Sequence, residues 1–379
     1  MVVVIGAGPA GLAAAAMLQR AGEQVVVLER AEIAAAWLSR YERLQLHTVR
    51  WLSGLPGWRM PRPLGKWPSR DGVVEYLRRY AERHGLDVRT GAEVTALERL
   101  ERAWSVRTSL GLHEAERVVV ATGYSNVGLV PDWPGEFAGE LVHSAQYVSA
   151  RPYRGKRVLV VGAGNSGAEI AVDLEEGGAA RVLLSVRTPP AIVRRDVLGI
   201  PSQLLGIAAP HLPAQVVDLV AATIRRYAIP DLEPYRMPAP ARPYTEFLRR
   251  PAIPILDVGI VAALLGGRVS VVAALERFEA GTAVLADGAR EEVDAVIAAT
   301  GYRCGLERLV GHLGVLDDRG EPLVHGAQEH PSAPGLHFVG YRVVLGGNFR
   351  QAGIEARQLA KAVAARDERE PRDDRAGRT

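Results

Sequence analysis

Cysteine is nearly missing from this 379-residue chain, which holds Cys304 and no other. A lone thiol excludes an internal disulfide, a CxxC redox pair and a cysteine-rich zinc site, and a reducing cytoplasm is the simplest address for it. Charge of one sign is scarce too: 46 basic residues against 43 acidic ones leave a net charge of +3, which gives a nucleic-acid role little electrostatic support. The nine histidines show no metal-ligand spacing, so no metal is expected. Long apolar runs are few. Residues 2–18 have the length of a signal-peptide core but lack a basic segment ahead of it, and residues 204–224 are broken by Pro210, His211, Pro213, Gln215 and Asp218, so no integral membrane span is expected.

What the chain has instead is glycine, 40 residues of it, and two stretches use it alike. VVVIGAGPAGLA (residues 2–13) and VLVVGAGNSGAE (residues 158–169) each carry an apolar strand through a glycine turn into a helix. In the first, Gly6 permits the tight turn, Gly8 lets backbone approach a pyrophosphate and Gly11 allows close helix packing. A phosphate then rests near Pro9 and Ala10 on the positive helix end. Glu29 closes the following strand, where a carboxylate accepts hydrogen bonds from ribose hydroxyls, and Arg30 comes next. The rival reading is a tight packing turn with no ligand.

The second copy repeats the spacing with Gly162, Gly164 and Gly167, but aligning RVLLSVR with QVVVLER sets Val186 opposite Glu29. The acid is gone. A carboxylate there would repel a 2'-phosphate, so its loss, with Arg187 following and Ser185 close by, suits NADPH. One turn is expected to hold FAD and the other NADPH, with hydride passing from nicotinamide to flavin.

The halves match further along. Each has a second strand, an ALER segment, a hairpin and an Ala-Thr-Gly-Tyr close, Ala121 to Tyr124 (with Thr122 and Gly123) in one and Ala299 to Tyr302 (with Thr300 and Gly301) in the other. The expected fold class is α/β, two Rossmann-like dinucleotide-binding domains, each a parallel sheet with a β-meander. Residues 1–150 form the first part of the FAD domain and residues 151–303 the NADPH domain, with a Pro/Arg-rich helical insertion at 188–254. Residues 304–379 return to the FAD domain and end in a charged tail. The insertion carries three arginine pairs, Arg194-Arg195, Arg225-Arg226 and Arg249-Arg250, readable as a solvated face or as steering for an acidic substrate.

Electrons cannot go to an internal disulfide, and the Gly-Asp that disulfide-reducing flavoproteins place near the C-terminal strand is Gly340-Tyr341 here. Oxygen, a quinone or an electron carrier remains. FAGELVHSAQY at residues 137–147 fits F-x-G-x-x-x-H-x-x-x-Y, and with both glycine turns and both ATGY segments it resembles the flavin-containing monooxygenases. Within them the chain is most similar to the plant-type indole-3-pyruvate monooxygenases of auxin synthesis, through LQLHTVRWLSGLPG, KWPSRDGVVEYLRRYA, IPILDVGIVAALLGGRVSVV and DAVIAATGYR.

That resemblance implies a C4a-(hydro)peroxyflavin formed from reduced FAD and O2, which delivers one oxygen atom to a small organic substrate, an aryl or indolyl 2-oxo acid among the candidates. An NADPH-dependent reductase serving a carrier or quinone, and a nucleotide-responsive sensor, are the alternatives. Nitrogen- and sulfur-oxidising members usually carry an asparagine in the loop that here reads LHTVRWL, and Baeyer-Villiger members prefer tryptophan where Tyr147 stands. By family position, His47 lies at the flavin ring, Trp37 covers part of the FAD, Gly340 lines its site, and Tyr302, Arg303, Asn348 and Gln351 are pocket candidates. His143 is read as structural, and Asn165 and Ser166 as hydrogen-bond donors to the second nucleotide or, alternatively, as helix caps.

Overall fold

The central strands are runs of apolar residues, VVVI, VVVL and the VLVV of residues 158–161 among them, rather than alternating, which is the mark of strands covered on both faces. The computed structural model describes residues 1–238, 240, 243, 245–246 and 254–369. Its first unit runs β1 (Val2–Ile5), α1 (Pro9–Arg20), β2 (Val25–Leu28), α2 (Arg70–Arg83), β3 (Asp87–Arg89) and β4 (Arg117–Val120). The second takes β5 (Glu140–His143), β6 (Arg157–Val161), α3 (Asn165–Glu176), β7 (Arg181–Ser185), α4 (Ala214–Ala228), β8 (Val269–Val272) and β9 (Ala295–Ala298). β10 (Leu336–Phe338) and α5 (Asn348–Arg369) close the chain.

Two five-stranded parallel sheets result, in the orders β10-β4-β1-β2-β3 and β8-β7-β6-β9-β5. β10 thus pairs with β4 of the first sheet, and the second sheet recruits its edge strand from residues 140–143, ahead of its own glycine turn. Each sheet carries an antiparallel three-stranded meander, Val94–Arg99 to Gly111–Ala115 in one and Leu275–Glu279 to Arg290–Glu291 in the other. Alanine-rich α1 lets α5 approach closely, and Leu12, Leu18, Leu77, Tyr80, Leu359 and Val363 fill that side of the first sheet. Val3, Ile5, Trp104, Val106 and Phe338 fill the other, where the Trp104 indole donates to the Pro334 carbonyl at 3.1 Å. Arg249 and Arg250 lie outside the described residues.

The units are joined by an antiparallel ribbon, Val127–Gly128 against Tyr302–Arg303, and the F-x-G-x-x-x-H-x-x-x-Y segment that follows it is fastened to the second unit by its side chains. Phe137 stacks on Phe278 at 4.8 Å, while a Cβ on Gly139 would stand 2.6 Å from the Asp294 carbonyl oxygen, so only glycine fits. His143 is 4% exposed, its Nε2 bonded to the Gly301 carbonyl at 3.0 Å and its Nδ1 accepting the Ala145 N–H at 3.1 Å. Tyr147 donates to Asp173 on α3 at 2.6 Å. His143 is structural because both ring nitrogens are spent, and its neutral tautomer carries the proton on Nε2.

Burial depresses the pKa of His143 below the usual histidine value, and burial does the same to His337. A histidine whose folded pKa is lowered binds fewer protons folded than unfolded, so its stabilisation is whole above about pH 6.5 and is lost as pH falls from there. The melting temperature should therefore be flat from pH 7 to 8 and fall between roughly pH 6.5 and 5.5. Identical melts at pH 7.5 and 5.5 would contradict this account of the joint.

Candidate active site

Both glycine turns have the same internal geometry. Gly6 and Gly162 sit at φ of +106° and +110°, where side chains are strained, and a Cβ on either would meet the carbonyl oxygen of Ala121 or Ala299 at 2.7 or 2.5 Å. Gly11 and Gly167 are packing positions: a Cβ there would stand 1.9 Å from the carbonyl oxygen of Gly6 or Gly162. Gly8 and Gly164 face open space with nothing within 4 Å, and no side chain caps either helix, so its first N–H groups are left for a ligand.

A single cavity of about 1540 Å³ opens from the first turn and extends beneath the insertion. Gly6, Gly8, Pro9, Ala10, Glu29, Arg30, Trp37, His47, Ala121, Thr122, Gly123 and Gly340 line it. Glu29 accepts the Ala7 N–H at 2.7 Å and the Ala31 N–H at 3.0 Å, which fixes the carboxylate while leaving each oxygen a lone pair for a ribose hydroxyl. Trp37 meets Phe349 edge-on at 5.7 Å, and Arg30 donates to Asn126. Asn348 donates to the Tyr124 hydroxyl at 2.7 Å while its Oδ1 is buried without a partner, an orphan acceptor on the cavity wall. Open glycine, uncapped helix, poised carboxylate and orphaned amide together fit a dinucleotide.

Several positions expected to touch ligand are committed elsewhere. Ser185 is 2% exposed, and its hydroxyl donates to the Ala273 carbonyl and accepts the Leu275 N–H, closing β7 rather than meeting a phosphate. Asn165 neither caps nor faces the turn: its amide bonds Pro254 O and Leu256 N, pinning the insertion's return strand. Gln351 turns to Glu355 at 3.0 Å and lies off the cavity wall. Thr300 donates to the Leu129 carbonyl and Gly301 accepts from His143, so neither lines the cavity, nor does Arg303. Ser166 and Tyr302 do line it. Arg187 is exposed beside the second turn, with no ion pair among the described residues.

Residues that spacing did not flag complete the joint. Glu169, Asp173 and Glu176 stand at i, i+4 and i+7 on α3, one face of the helix, and each meets the signature segment or the 41–47 loop of the first unit. Glu169, 3% exposed, receives the Tyr41 hydroxyl at 3.2 Å and His47 Nε2 at 2.5 Å; Asp173 takes Tyr147, and Glu176 takes Arg43. Burial, with Glu169 beside it, drives the Tyr41 phenol well above its usual pKa, so it stays a donor. Arg40 reaches the Tyr302 hydroxyl at 2.5 Å and the Ser125 carbonyl at 3.1 Å. An acidic stripe on an otherwise apolar helix was the available signal. Cys304 is buried, and burial raises its thiol to about 11, which leaves it inert.

The family model described as pyridine nucleotide-disulphide oxidoreductase matches residues 3–197. The probable indole-3-pyruvate monooxygenase YUCCA7 of Arabidopsis thaliana is 32% identical over 401 residues, covering 97% of this chain and 91% of its own. Indole-3-pyruvate monooxygenase YUCCA1 of Oryza sativa subsp. japonica is 34% identical, covering 89% of this chain and 86% of its own. Among solved structures, a mutant flavin monooxygenase from Stenotrophomonas maltophilia superposes with a TM-score of 0.76 at 26% identity, over 96% of this chain and 98% of that one.

The unequal glycines separate packing from binding. Gly8→Ala should leave the melting temperature of the flavin-free protein unchanged yet weaken FAD binding about 10- to 100-fold, because the methyl enters ligand space. Gly11→Ala should destabilise the flavin-free protein itself, by about 1–3 kcal/mol. Equal losses of stability in the two variants would show that Gly8 is not reserved for ligand.

Proposed function

The chain belongs to the flavin monooxygenase family and is an FAD- and NADPH-dependent monooxygenase acting on a small organic substrate with O2; from that premise we propose that the substrate is an aryl or indolyl 2-oxo acid. One observation carries the proposal. The cavity that begins at the first glycine turn ends under the insertion, on a wall of aliphatic side chains that includes Ile192, Val193, Val197 and Leu205 and bears Arg194, Arg195 and Arg225. An apolar wall with cationic points suits a flat hydrocarbon ring bearing a carboxylate. The relatives named above act, by their names, on indole-3-pyruvate, which has that chemistry.

In this reading the first turn, Glu29, Trp37, Thr122 and Asn348 hold FAD, and Gly162, Gly164, Ser166 and Arg187 hold NADPH. The bound pair supplies hydride transfer and activation of O2. The protein contributes positioning and shelter. His47 and Glu169 hold one proton between Nε2 and Oε1 at the edge of the cavity, fixing the ring, and the aliphatic wall excludes water. Tyr302, clamped by Arg40 and set edge-on to His143 at 4.8 Å, holds the ribbon between the two units in place. The inert single thiol agrees with electrons leaving to oxygen rather than to a disulfide, and with residence in a reducing compartment.

Insertion of one oxygen atom at the keto carbon of a 2-oxo acid releases its carboxyl group as CO2 and leaves the acid one carbon shorter. NADPH and a proton reduce the second oxygen atom to water. With carboxyl-labelled phenylpyruvate or indole-3-pyruvate, one labelled CO2 should appear per NADPH oxidised. NADPH oxidation that yields hydrogen peroxide and no labelled CO2 with any aryl 2-oxo acid would refute the substrate class.

A further inference from the structure

The three described cations of the insertion wall differ. Arg194 is exposed, 3.8 Å from Asp257 and bonded to the Ala228 carbonyl, and Arg225 is solvated. Arg195 is different. Its Nη1 donates to the Gln45 amide oxygen at 2.7 Å and its Nη2 lies 3.5 Å from the Leu46 carbonyl, while Nε is shut away from solvent with no partner. The guanidinium lies over the Trp67 ring at 4.8 Å. Every contact is neutral, and among the described residues no carboxylate reaches ion-pair distance.

The nearby acids are already engaged. Glu169 attracts Arg195 through space but spends its oxygens on Tyr41 and His47, Asp196 is paired with Lys66 at 2.5 Å, and Asp218 accepts from Thr245. Burial lowers the Arg195 pKa against the pull of Glu169, the sign of a cation short of counter-charge. A partly desolvated guanidinium bonded only to neutral acceptors is costly unless an anion completes it.

We propose that Arg195 is the anchor for the substrate's carboxylate and so sets the preference for 2-oxo acids over neutral ketones. This rests on the substrate class proposed above. Gln45, the Leu46 carbonyl and Trp67 hold the guanidinium plane in place, so its charge is pre-organised on the cavity wall. The neighbouring Asp196–Lys66 pair ties the insertion to the 62–67 loop and fixes the backbone on which the anchor sits.

The test titrates the FAD-loaded protein with phenylpyruvate and with the neutral phenylacetone, following flavin absorbance, in wild type, Arg195→Gln, Arg195→Lys and the exposed control Arg226→Gln. Arg195→Gln should weaken phenylpyruvate binding about 10- to 100-fold and leave phenylacetone unchanged. Arg195→Lys, which keeps the charge but loses the fork, should fall between, and Arg226→Gln should match wild type. Equal affinity of Arg195→Gln and wild type for phenylpyruvate overturns the anchor, as does a wild type that binds acid and ketone alike. If the affinity loss appears but wild type releases no CO2 from 2-oxo acids, the anchor stands and the substrate reading falls. If CO2 is released and affinity does not depend on Arg195, the reverse holds.

Discussion

The closeness of each nucleotide helix to its own strand governs the rest of the molecule. At Gly11 and Gly167 a single methyl group would overlap the carbonyl oxygen of the turn's first glycine, at 1.9 Å in both copies. That approach aims the uncapped helix end at the space beyond Gly8 or Gly164, and the left-handed Gly6 and Gly162 return the backbone across the ATGY segment. The turn geometry is therefore a property of backbone spacing, which is why it can be built twice from different side chains. What distinguishes the copies is one carboxylate. Glu29 is fixed by the Ala7 and Ala31 N–H groups, while Val186 and the exposed Arg187 stand at the matching places of the second copy.

Two such units make an enzyme only if they face each other steadily. The acidic face of α3 does this work, with Glu169, Asp173 and Glu176 receiving Tyr41, His47, Tyr147 and Arg43. Phe137, Gly139, His143 and Tyr147 of the F-x-G-x-x-x-H-x-x-x-Y segment fasten the connecting chain to the second unit. None of these side chains needs to perform chemistry for the site to depend on it. They set how the two units face each other.

The α/β class, the paired meanders and the cavity residues around the first turn were legible because they follow from local spacing: strand, glycines, helix, acid. The positions that went astray are those whose role depends on where a side chain turns after distant segments meet. Ser185 has the right place in sequence, but the strand end that follows β8 captures its hydroxyl. Asn165 and Gln351 are drawn off by the insertion's return strand and by buried Glu355. Glu169 escaped notice, and Arg195 reads in the sequence only as half of an arginine pair that is solvated or steers an acidic substrate, for the same reason. One looks like an ordinary helix acid and the other like half of a solvated arginine pair until the 41–47 loop brings them to one wall.

The claim on which all this turns is that the twin bends hold different nucleotides in a fixed assignment. A crystal structure grown with FAD and NADP+ together tests it most directly. The account predicts the flavin pyrophosphate over Gly8 with a ribose on Glu29, and the 2'-phosphate of the nicotinamide nucleotide beside Arg187. FAD seated at Gly164, or a 2'-phosphate lodged against Glu29, would contradict it.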